Sequence, residues 1–394
     1  MTATSTLQVT NLANGNLSFV TSAANATINA GNGNYYLVDY GANAVIDTLT
    51  GNSRISAFGT GNGITVGDTV GNGTTYVYSG GGAVVAGTGN YNITVVASGA
   101  FISTGNGNEK VVADGTGNII SIGSNTANTP TLSWGQSWWG WGWSGSNGST
   151  VITGGNSSVQ TGNGVNTVVA NGNNNIITVG DGIATVYADG SLNNVSVGNN
   201  TGTGVYANVD NYIEVGANAN VSVGDGDQDV VAFGGGATIT TGSGHDIVNL
   251  VGCSTGMGNN TVIQGNGYNW TFLSGASNFV YDGSGADIIW SGAGHDAFVM
   301  NAAGGTQTIN GFKSTDSVDM SSIFAGLGLS NTASSLAPYV TVTTQSHGWW
   351  WGCGGGSVDT IIAMTNGSVH DTVVLAGYNG GSLAQMLATS QVHV

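Results

Sequence analysis

Glycines recur along this chain at a fixed interval, and this recurrence limits the fold more than any other feature. Two interleaved sets repeat every eighteen residues, one at Gly162, Gly180, Gly198 and Gly216 and the other at Gly154, Gly172 and Gly190. The segments between them, such as NTVVA and ATVYA, show the β-branched content and alternation of short strands with one buried face. A period of this length is typical of a solenoid, whose stacked coils share one core. We therefore expect an all-β solenoid over residues 31–300, with two half-turns per coil and about 14 coils.

The residues at the coil corners support the same interpretation. Glycine supplies the positive φ that each corner needs. Asparagine is abundant beside these glycines, and it tolerates the left-handed region of φ and ψ. It can also form a hydrogen bond to its equivalent one coil away, as in the ladders of stacked sheets. The sequence thus predicts asparagine ladders that run from coil to coil.

Three further segments follow from breaks in the pattern. Residues 1–30 read as uncharged strand-like sequence at one edge of the solenoid. The eighteen-residue phase breaks between Gly123 and Gly162, where the tract SWGQSWWGWGWSGSNG stands, so we expect a Trp-rich loop insertion near residues 130–148. After residue 300 the Gly-Asn repeat fades into longer apolar segments. Residues 301–394 are therefore expected to form a smaller, β-rich C-terminal domain.

Charge excludes several classes of function. The chain has three Lys and Arg residues against 20 Asp and Glu residues, which gives a formal net charge of −17. It lacks the basic surface that phosphate binding requires, so we expect no nucleic acid partner. The sequence has no apolar run long enough for a membrane span and no N-terminal cleavable signal. A Gly-x-Ser-x-Gly match at residues 252–256 lacks the strand-to-helix context of a hydrolase, and we expect no enzymatic activity.

Three nonapeptides carry a resemblance to a known family. Residues 282–299 read DGSGADIIW followed by SGAGHDAFV, and residues 241–249 read TGSGHDIVN. They resemble the calcium-binding repeat G-G-x-G-x-D-x-U-x, with U apolar, of repeats-in-toxin (RTX) proteins. The tail, from INGFKSTDSVDMSSI to SLAQMLATSQVHV, looks like the C-terminal target domain of type I secretion substrates. The resemblance implies a β-roll that the type I secretion machinery exports to the exterior or cell surface without a cleaved N-terminal signal.

The resemblance also implies a ligand set for calcium. In RTX proteins the sixth-position Asp shares a calcium ion with its equivalent one coil away, and turn carbonyls complete the oxygen shell. Carried over by register, the candidate ligands are Asp246, Asp287, Asp296, Asn269, Asn278, Asp227 and Asp229, with the turn glycines Gly242, Gly244, Gly283, Gly285, Gly292 and Gly294. Each site then has one carboxylate where the family usually supplies two, which implies few and weak calcium sites. The alternative is that these Asp side chains only cap turns.

Upstream, the sixth position holds Glu109, Asn166 and Ala184, so the resemblance implies that most coils fold without metal. The two cysteines, Cys253 and Cys353, are too few for a disulfide scaffold, and the sequence leaves open whether they form a bridge or two separate thiols.

Tryptophan is concentrated in two Gly-rich tracts. They contain Trp134, Trp138, Trp139, Trp141, Trp143, Trp349, Trp350 and Trp351. Contact with another subunit, binding of a polysaccharide and folding back onto the solenoid all remain open as roles for these side chains.

The uncharged first strands favour assembly, because natural proteins usually protect open strand edges with charge, proline or a cap. We expect a secreted structural protein that self-assembles into a homo-oligomeric filament, surface layer or biofilm matrix. The alternative is a monomeric adhesin that binds carbohydrate through the Trp-rich loops.

Overall fold

The computed structural model describes residues 8–125, 148–201, 210–252, 259–275, 277–301, 304–347 and 357–394, and also the backbone of 132–134 and 143–145. The chain divides into two compact units, residues 1–211 and 212–394, called here the N-terminal unit and the C-terminal unit. The architecture is a parallel β-solenoid of about 15 turns, followed by a C-terminal β-strand region. The predicted all-β solenoid is confirmed.

The elements are short strands with two brief helices. In chain order the described strands are β1 (Val9–Leu12), β2 (Leu17–Thr21), β3 (Thr27–Ala30), β4 (Tyr35–Asp39), β5 (Val45–Thr48), β6 (Arg54–Ala57), β7 (Asn62–Val66), β8 (Thr74–Ser79), β9 (Gly82–Ala86), β10 (Asn90–Val95), β11 (Phe101–Thr104), β12 (Glu109–Ala113), β13 (Ile119–Ile122), β14 (Leu132–Trp134), β15 (Trp143–Gly145), β16 (Ser149–Thr153), β17 (Ser158–Thr161), β18 (Gly164–Ala170), β19 (Ile176–Val179), β20 (Gly182–Ala188), β21 (Asn194–Val197), β22 (Asn211–Val215), β23 (Asn220–Val223), β24 (Gln228–Phe233), β25 (Thr238–Thr240), β26 (Asp246–Val251), β27 (Asn260–Ile263), β28 (Trp270–Phe272), β29 (Asn278–Tyr281), β30 (Gly285–Trp290), β31 (Ala297–Val299), β32 (Gly305–Asn310), β33 (Ser317–Asp319), β34 (Val340–His347), β35 (Ser357–Asn366), β36 (Val369–Ala376) and β37 (Val392–His393). The helices are α1 (Ala333–Leu336) and α2 (Leu383–Ala388).

Successive strands of the solenoid alternate between two parallel sheets, so each coil contributes one strand to each sheet. The odd-numbered strands form the first sheet and the even-numbered strands form the second, apart from β14 and β15 and the later C-terminal strands. Most partners are eighteen residues apart, as for Val9 and Thr27 in the first sheet and Tyr91 and Glu109 in the second. This spacing is the glycine period of the sequence.

The core lies between the two sheets and consists of columns of β-branched and leucine side chains. In the N-terminal unit the first sheet contributes Ile28, Ile46, Ile64, Val84, Ile102, Ile120, Val159, Ile177 and Val195, and the second contributes Leu37, Ile55, Val77, Ile93, Val111, Val151, Val168 and Val186, all of them buried. Because side chains alternate along a strand, each of these residues has outward-facing neighbours on both sides. The period-two alternation of apolar residues in the sequence thus corresponds to the alternation between core and surface positions.

The predicted asparagine ladders are present on the corners. Asn14 Oδ1 accepts the backbone N–H of Asn32, and Asn32 Oδ1 accepts that of Thr50, each across eighteen residues. Asn25 and Asn43 have φ of 60° and 57°, in the left-handed region. Close stacking also requires glycine, because a Cβ on Gly51 would lie 1.9 Å from the carbonyl oxygen of Gly33. These contacts hold successive turns directly over one another.

A different topology follows the last coils of the C-terminal unit. In the second sheet, β32 pairs in parallel with β36, which pairs antiparallel with β35, and β35 pairs antiparallel with β34. In the first sheet, β33 pairs in parallel with β37. The helix α2 begins with a capping box formed by Ser382 and Gln385. Among the described residues, neither helix has the length or the apolar character that a membrane span requires.

Candidate functional site

The interior contains two polar ladders as well as its apolar core. Each ladder occupies the first inward position of the strands in one sheet, and all of its members are almost completely buried. The first-sheet ladder comprises Asn62, Asn118, Ser157, Asn175 and Asn193 in the N-terminal unit, and Asn260, Asn278, Asp296 and Asp316 in the C-terminal unit. The second-sheet ladder comprises Ser53, Thr75, Glu109, Ser149, Asn166 and Asn211 in the N-terminal unit, and Gln228, Asp246, Asn269, Asp287 and Gln307 in the C-terminal unit.

The side-chain oxygens in these ladders accept hydrogen bonds from backbone N–H groups of the preceding coil. Asn118 Oδ1 accepts the N–H of Ala100 at 3.0 Å, and Asn175 Oδ1 accepts the N–H of Ser157 at 2.9 Å. A backbone N–H at a buried corner destabilises the fold if it stays without an acceptor. In these coils the ladder side chain supplies the oxygen that the N–H needs, whereas other coils have a buried alanine, such as Ala44 or Ala100, at the same position.

The side-chain amides of the ladders donate to turn carbonyls. Asn118 Nδ2 donates to the carbonyls of Ala113 and Gly115, at 3.2 and 3.0 Å. Gln228 Nε2 lies 3.3, 3.3 and 3.2 Å from the carbonyl oxygens of Gly224, Asp225 and Gly226. The amide group therefore lies among turn carbonyls, which is where the family resemblance implies a cation.

Two of the predicted calcium ligands are hydrogen-bonded to each other. The backbone N–H and Nδ2 of Asn269 both donate to Asp287 Oδ1 at 2.9 Å. In the first-sheet ladder, Asn278 donates in the same way to Asp296 Oδ1, at 3.1 and 2.9 Å. An amide N–H is a donor and cannot ligate a metal, so Asp287 and Asp296 as arranged do not fit a shared calcium ion.

The second carboxylate oxygen of Asp296 also accepts hydrogen bonds. Ser291 Oγ and the backbone N–H of Gly292 donate to Asp296 Oδ2 at 2.9 and 3.1 Å. The backbone N–H of Asp296 in turn donates to Asp316 Oδ1 at 3.1 Å. Burial raises the pKa of Asp296 and of Asp287 above the ordinary aspartate value. Asp296 thus accepts hydrogen bonds on both oxygens, whereas Asp287 accepts them on Oδ1 only and its buried Oδ2 has no partner among the described residues.

Asp246 differs from the other two aspartates. It is fully buried, and neither of its carboxylate oxygens has a hydrogen-bond partner. Burial is the main cause that raises its pKa to about 7, and the charges of Asp227 and Asp225 act in the same direction, while the Thr241 side chain and the Gln228 backbone oppose the rise. Of the predicted ligands, Asp246 is the one that fits a bound cation best.

The two remaining predicted carboxylate ligands, Asp227 and Asp229, have other positions. Asp227 Oδ1 accepts the backbone N–H of His245 at 3.0 Å, so it caps a turn. Asp229 follows Gln228 in β24 and faces outward, because side chains alternate along a strand. Within the part of the chain that the structure describes, no three His, Cys, Asp or Glu side chains are grouped closely enough to hold a metal ion.

The predicted turn glycines allow close approach between coils. A Cβ at Gly242 would lie 2.4 Å from the carbonyl oxygen of Gly224, and one at Gly283 would lie 1.7 Å from that of Gly265. Gly244 and Gly285 have φ of 157° and 136°. Each forms a parallel β-bridge with Gly267, so the three glycines stack in one column. Gly294 has φ of 114°, and a Cβ on Gly292 would lie 2.8 Å from the Leu273 carbonyl oxygen. Stacking explains these glycines without a metal.

The tryptophan predictions are covered only in part by the described residues. Trp134 and Trp143 lie opposite each other in the antiparallel hairpin of β14 and β15. Trp138, Trp139, Trp141, Trp349, Trp350 and Trp351 lie outside the described residues, as do Cys253 and Cys353. A role for these tracts in binding stays a prediction.

Sequence reasoning identified the positions of the ladders but not their chemistry. It assigned Asn269 and Asn278 as metal ligands, whereas both donate to carboxylates. A usable signal was present, because Asn175 and Asn193 recur at eighteen residues in coils that contain no nonapeptide. The fold is compatible with an RTX β-roll. No protein-family model, no curated protein and no solved structure matches the chain.

Proposed function

We propose that the protein is an extracellular structural subunit that self-assembles end to end through unprotected strand edges. The observation that carries the proposal is the first described coil. Among the described residues, its strands β1 and β2 each pair with one partner, β3 and β4 respectively. Residues 8–21 contain no charged residue and no proline, which are the usual means of protecting an edge.

The C-terminal unit offers a second edge of similar character. Within the described residues, β34 pairs on one side only, with β35. Its sequence, VTVTTQSH, has no Asp, Glu, Lys or Arg, and residues 343–346 are exposed. Because the two edges differ, contact between them is heterologous and need not close, so it propagates into a filament. Two different open edges therefore favour a filament over a closed dimer.

Charge is compatible with this mode of assembly. The net charge of −17 opposes close contact between copies. Strand pairing at an end brings together neutral segments and adds backbone hydrogen bonds, as in other cases of β-strand addition. Repulsion then acts mainly between parts of the chain that do not touch. Higher ionic strength should consequently favour the filament.

The family resemblance implies type I export and calcium binding, and both are part of this proposal. Secretion by a type I system accounts for the tail sequence, and an extracellular location supplies calcium. We carry forward one weak calcium site, at Asp246, because both oxygens of this buried carboxylate are free of hydrogen bonds. Calcium there would offset a buried negative charge and stabilise the C-terminal unit.

The test is negative-stain microscopy of purified protein with sedimentation analysis. Wild-type protein is expected to form filaments, and Ser18→Lys with Val20→Lys, both at exposed positions of β2, is expected to abolish them. Tyr76→Lys is the matched control, since Tyr76 is 51% exposed on an interior strand of the same sheet. Filaments that persist in the β2 variant contradict the proposal. Single particles whose Trp fluorescence is quenched by polysaccharide favour the adhesin alternative.

A further inference from the structure

The outer face of the first sheet in the N-terminal unit is nearly free of charge. The ten described strands from β1 to β21 in this sheet present two outward columns. In register, one column is Val9, Thr27, Val45, Gly63, Ala83, Phe101, Ile119, Ser158, Ile176 and Asn194, and the other is Asn11, Asn29, Asp47, Thr65, Val85, Ser103, Ser121, Gln160, Thr178 and Ser196. Asp47 is the only charged residue among these outward positions.

Large apolar side chains are exposed along this face. Ile176 is 56% exposed, Ile119 is 54% exposed and Phe101 is 44% exposed. Val9, Val45 and Val85 are exposed to a similar extent. They stand among Thr, Ser, Asn and Gln, and Asp47 carries the one charge among the outward positions. Singly exposed apolar residues need no explanation, but several large ones on one nearly uncharged face favour an interaction surface.

The outer face of the second sheet differs in charge. It carries Arg54 and Lys110, both exposed, in one column with Tyr36 and Tyr76. Its exposed aromatic rings lie against one another. Tyr40 and Phe58, for example, stack with centroids 5.1 Å apart and an interplanar angle of 9°. The second-sheet face thus places two of the three basic side chains at the surface, whereas the first-sheet face has none.

The extent of the first-sheet face is sufficient for a weak but specific contact. Ten strands about 4.8 Å apart, each four residues long, cover roughly 600 Å². Two such faces in contact bury about 1,200 Å², which is the lower end of the range for specific interfaces. Flat parallel sheets pack face to face about 10 Å apart, with outward side chains interdigitating.

We propose that the outer face of the first sheet in the N-terminal unit binds the same face of a second copy. Charge favours a second copy as the occupant of this face. In a chain with a net charge of −17, this face lets two copies meet while bringing only one carboxylate from each into the contact. The contact uses one patch on both copies, so it closes at a dimer and can cross-link neighbouring filaments laterally. It does not depend on the end-to-end assembly proposed above.

The mechanism predicts a specific response to salt. Added salt screens the repulsion between the two negatively charged copies and leaves apolar contact intact. Lateral association should therefore strengthen as ionic strength rises. An interface formed by Arg54 and Lys110 against carboxylates of another copy would weaken instead. Salt dependence thus separates the neutral face from a charged one.

The experiment is sedimentation equilibrium of the full chain carrying Ser18→Lys and Val20→Lys, which is expected to form no filaments, with and without Ile119→Lys plus Ile176→Lys. This reference protein is expected to form dimers more strongly in high salt, and the added first-sheet substitutions are expected to weaken dimerisation at least tenfold. Tyr76→Lys in the same background, on the second sheet, is the control and should dimerise as the reference protein does. Unchanged circular dichroism and thermal unfolding confirm that each variant is folded, as expected for exposed positions.

Two results would overturn the proposal: a Ser18→Lys, Val20→Lys reference protein that stays monomeric at all salt concentrations, or equal dimerisation of that protein with and without Ile119→Lys and Ile176→Lys. Microscopy separates this contact from the end-to-end assembly. Ile119→Lys plus Ile176→Lys in the otherwise wild-type chain should give single unbundled filaments. The Ser18→Lys, Val20→Lys variant should retain lateral dimers and form no filaments.

Discussion

Asn269 donates two hydrogen bonds, from its backbone N–H and from its side-chain amide, to the same oxygen of Asp287 one coil away, both at 2.9 Å. The pair occupies a position where the family resemblance implies two ligands of one calcium ion. Replacing a carboxylate by an amide at this position lets the coil stack through hydrogen bonds alone.

Asn269→Asp should convert a metal-independent contact into a calcium-dependent one. The change removes an amide donor from Asp287 and places a second carboxylate beside it in a buried site. We expect a loss of about 3 kcal/mol in the free energy of unfolding at neutral pH with chelator present. Calcium should restore part of this loss, because two carboxylates and turn carbonyls provide hard oxygen ligands. Urea unfolding with and without calcium measures both effects.

Asn175→Asp is the matched control for this prediction. Asn175 is fully buried in the first-sheet ladder, and its side-chain amide donates to Asn193 Oδ1, a neutral acceptor, at 3.2 Å. The substitution introduces a buried carboxylate without a second one opposite. It should therefore destabilise the fold, and calcium should not restore it. Equal recovery of both variants in calcium would contradict the interpretation.

Glu109 should make stability depend on pH. It is buried, with Ser149 Oγ donating to Oε2 at 2.7 Å and with Oε1 lacking a partner. Burial raises its pKa from 4.5 to about 7. The unfolded state then releases its proton at lower pH than the folded state, so stability falls as pH rises between these two values. The slope is about 1.4 kcal/mol per pH unit at its steepest, and it levels off above pH 7.

Glu109→Gln should remove the contribution of Glu109 to this slope, because the amide keeps the contact with Ser149 and does not titrate. Asp246 and Asp282, whose pKa values burial also raises to about 7, keep their own contributions in both proteins. Denaturant unfolding at several pH values between 4 and 8 measures the change. Glu214→Gln is the control, since Glu214 is the other glutamate of the chain and faces outward in β22. An unaltered slope in the Glu109→Gln protein would show that other groups cause the pH dependence.

Asn118→Leu should destabilise the fold strongly although the side chains have similar size. The leucine leaves the Ala100 N–H and the carbonyls of Ala113 and Gly115 without partners inside the structure. We expect a loss of about 3 kcal/mol, measured by urea unfolding. Asn106→Leu is the control from an exposed ladder, where Oδ1 accepts the Ser124 N–H at 2.9 Å. Water replaces that contact, so the loss should be within about 0.5 kcal/mol.

Calcium binding should depend on Asp246 more than on Asp296. Both oxygens of Asp246 are free of hydrogen bonds, whereas Asp296 accepts donors on each oxygen. Isothermal titration with calcium is expected to give weak binding that Asp246→Asn abolishes and Asp296→Asn leaves in place. The reverse order, with binding lost only in Asp296→Asn, would assign the site to the other ladder.

The sequence predicted the fold well because one physical rule repeats along it. The eighteen-residue glycine spacing and the alternation around residues such as Val168 and Ile177 are enough to indicate two stacked sheets. The polar interior was predicted less well. A buried Asn and a metal-ligating Asn occupy the same sequence position, and the difference lies in which atoms of the neighbouring coil face the side chain. Asn269 and Asn278 could therefore be located from the sequence but not assigned a role.

The outward faces were the hardest part to interpret from the sequence. Ile119 and Ile176 are 57 residues apart, and between them stands the insertion that breaks the glycine phase. Only the pairing of Ile119 with Ser158 and of Ser158 with Ile176 places them in one column. A periodicity argument that stops at the insertion cannot connect the two residues. The exposed neutral face is for this reason a finding of the structure.

That same pairing has an evolutionary consequence. Ile119 and Ser158 are adjacent strand partners although 39 residues separate them, so the coils on either side of residues 126–147 pair in register. This pairing does not depend on a fixed number of residues between the two strands. Changes in the length or sequence of 126–147 are therefore compatible with an intact scaffold, which makes this segment a natural place for new binding specificities to arise.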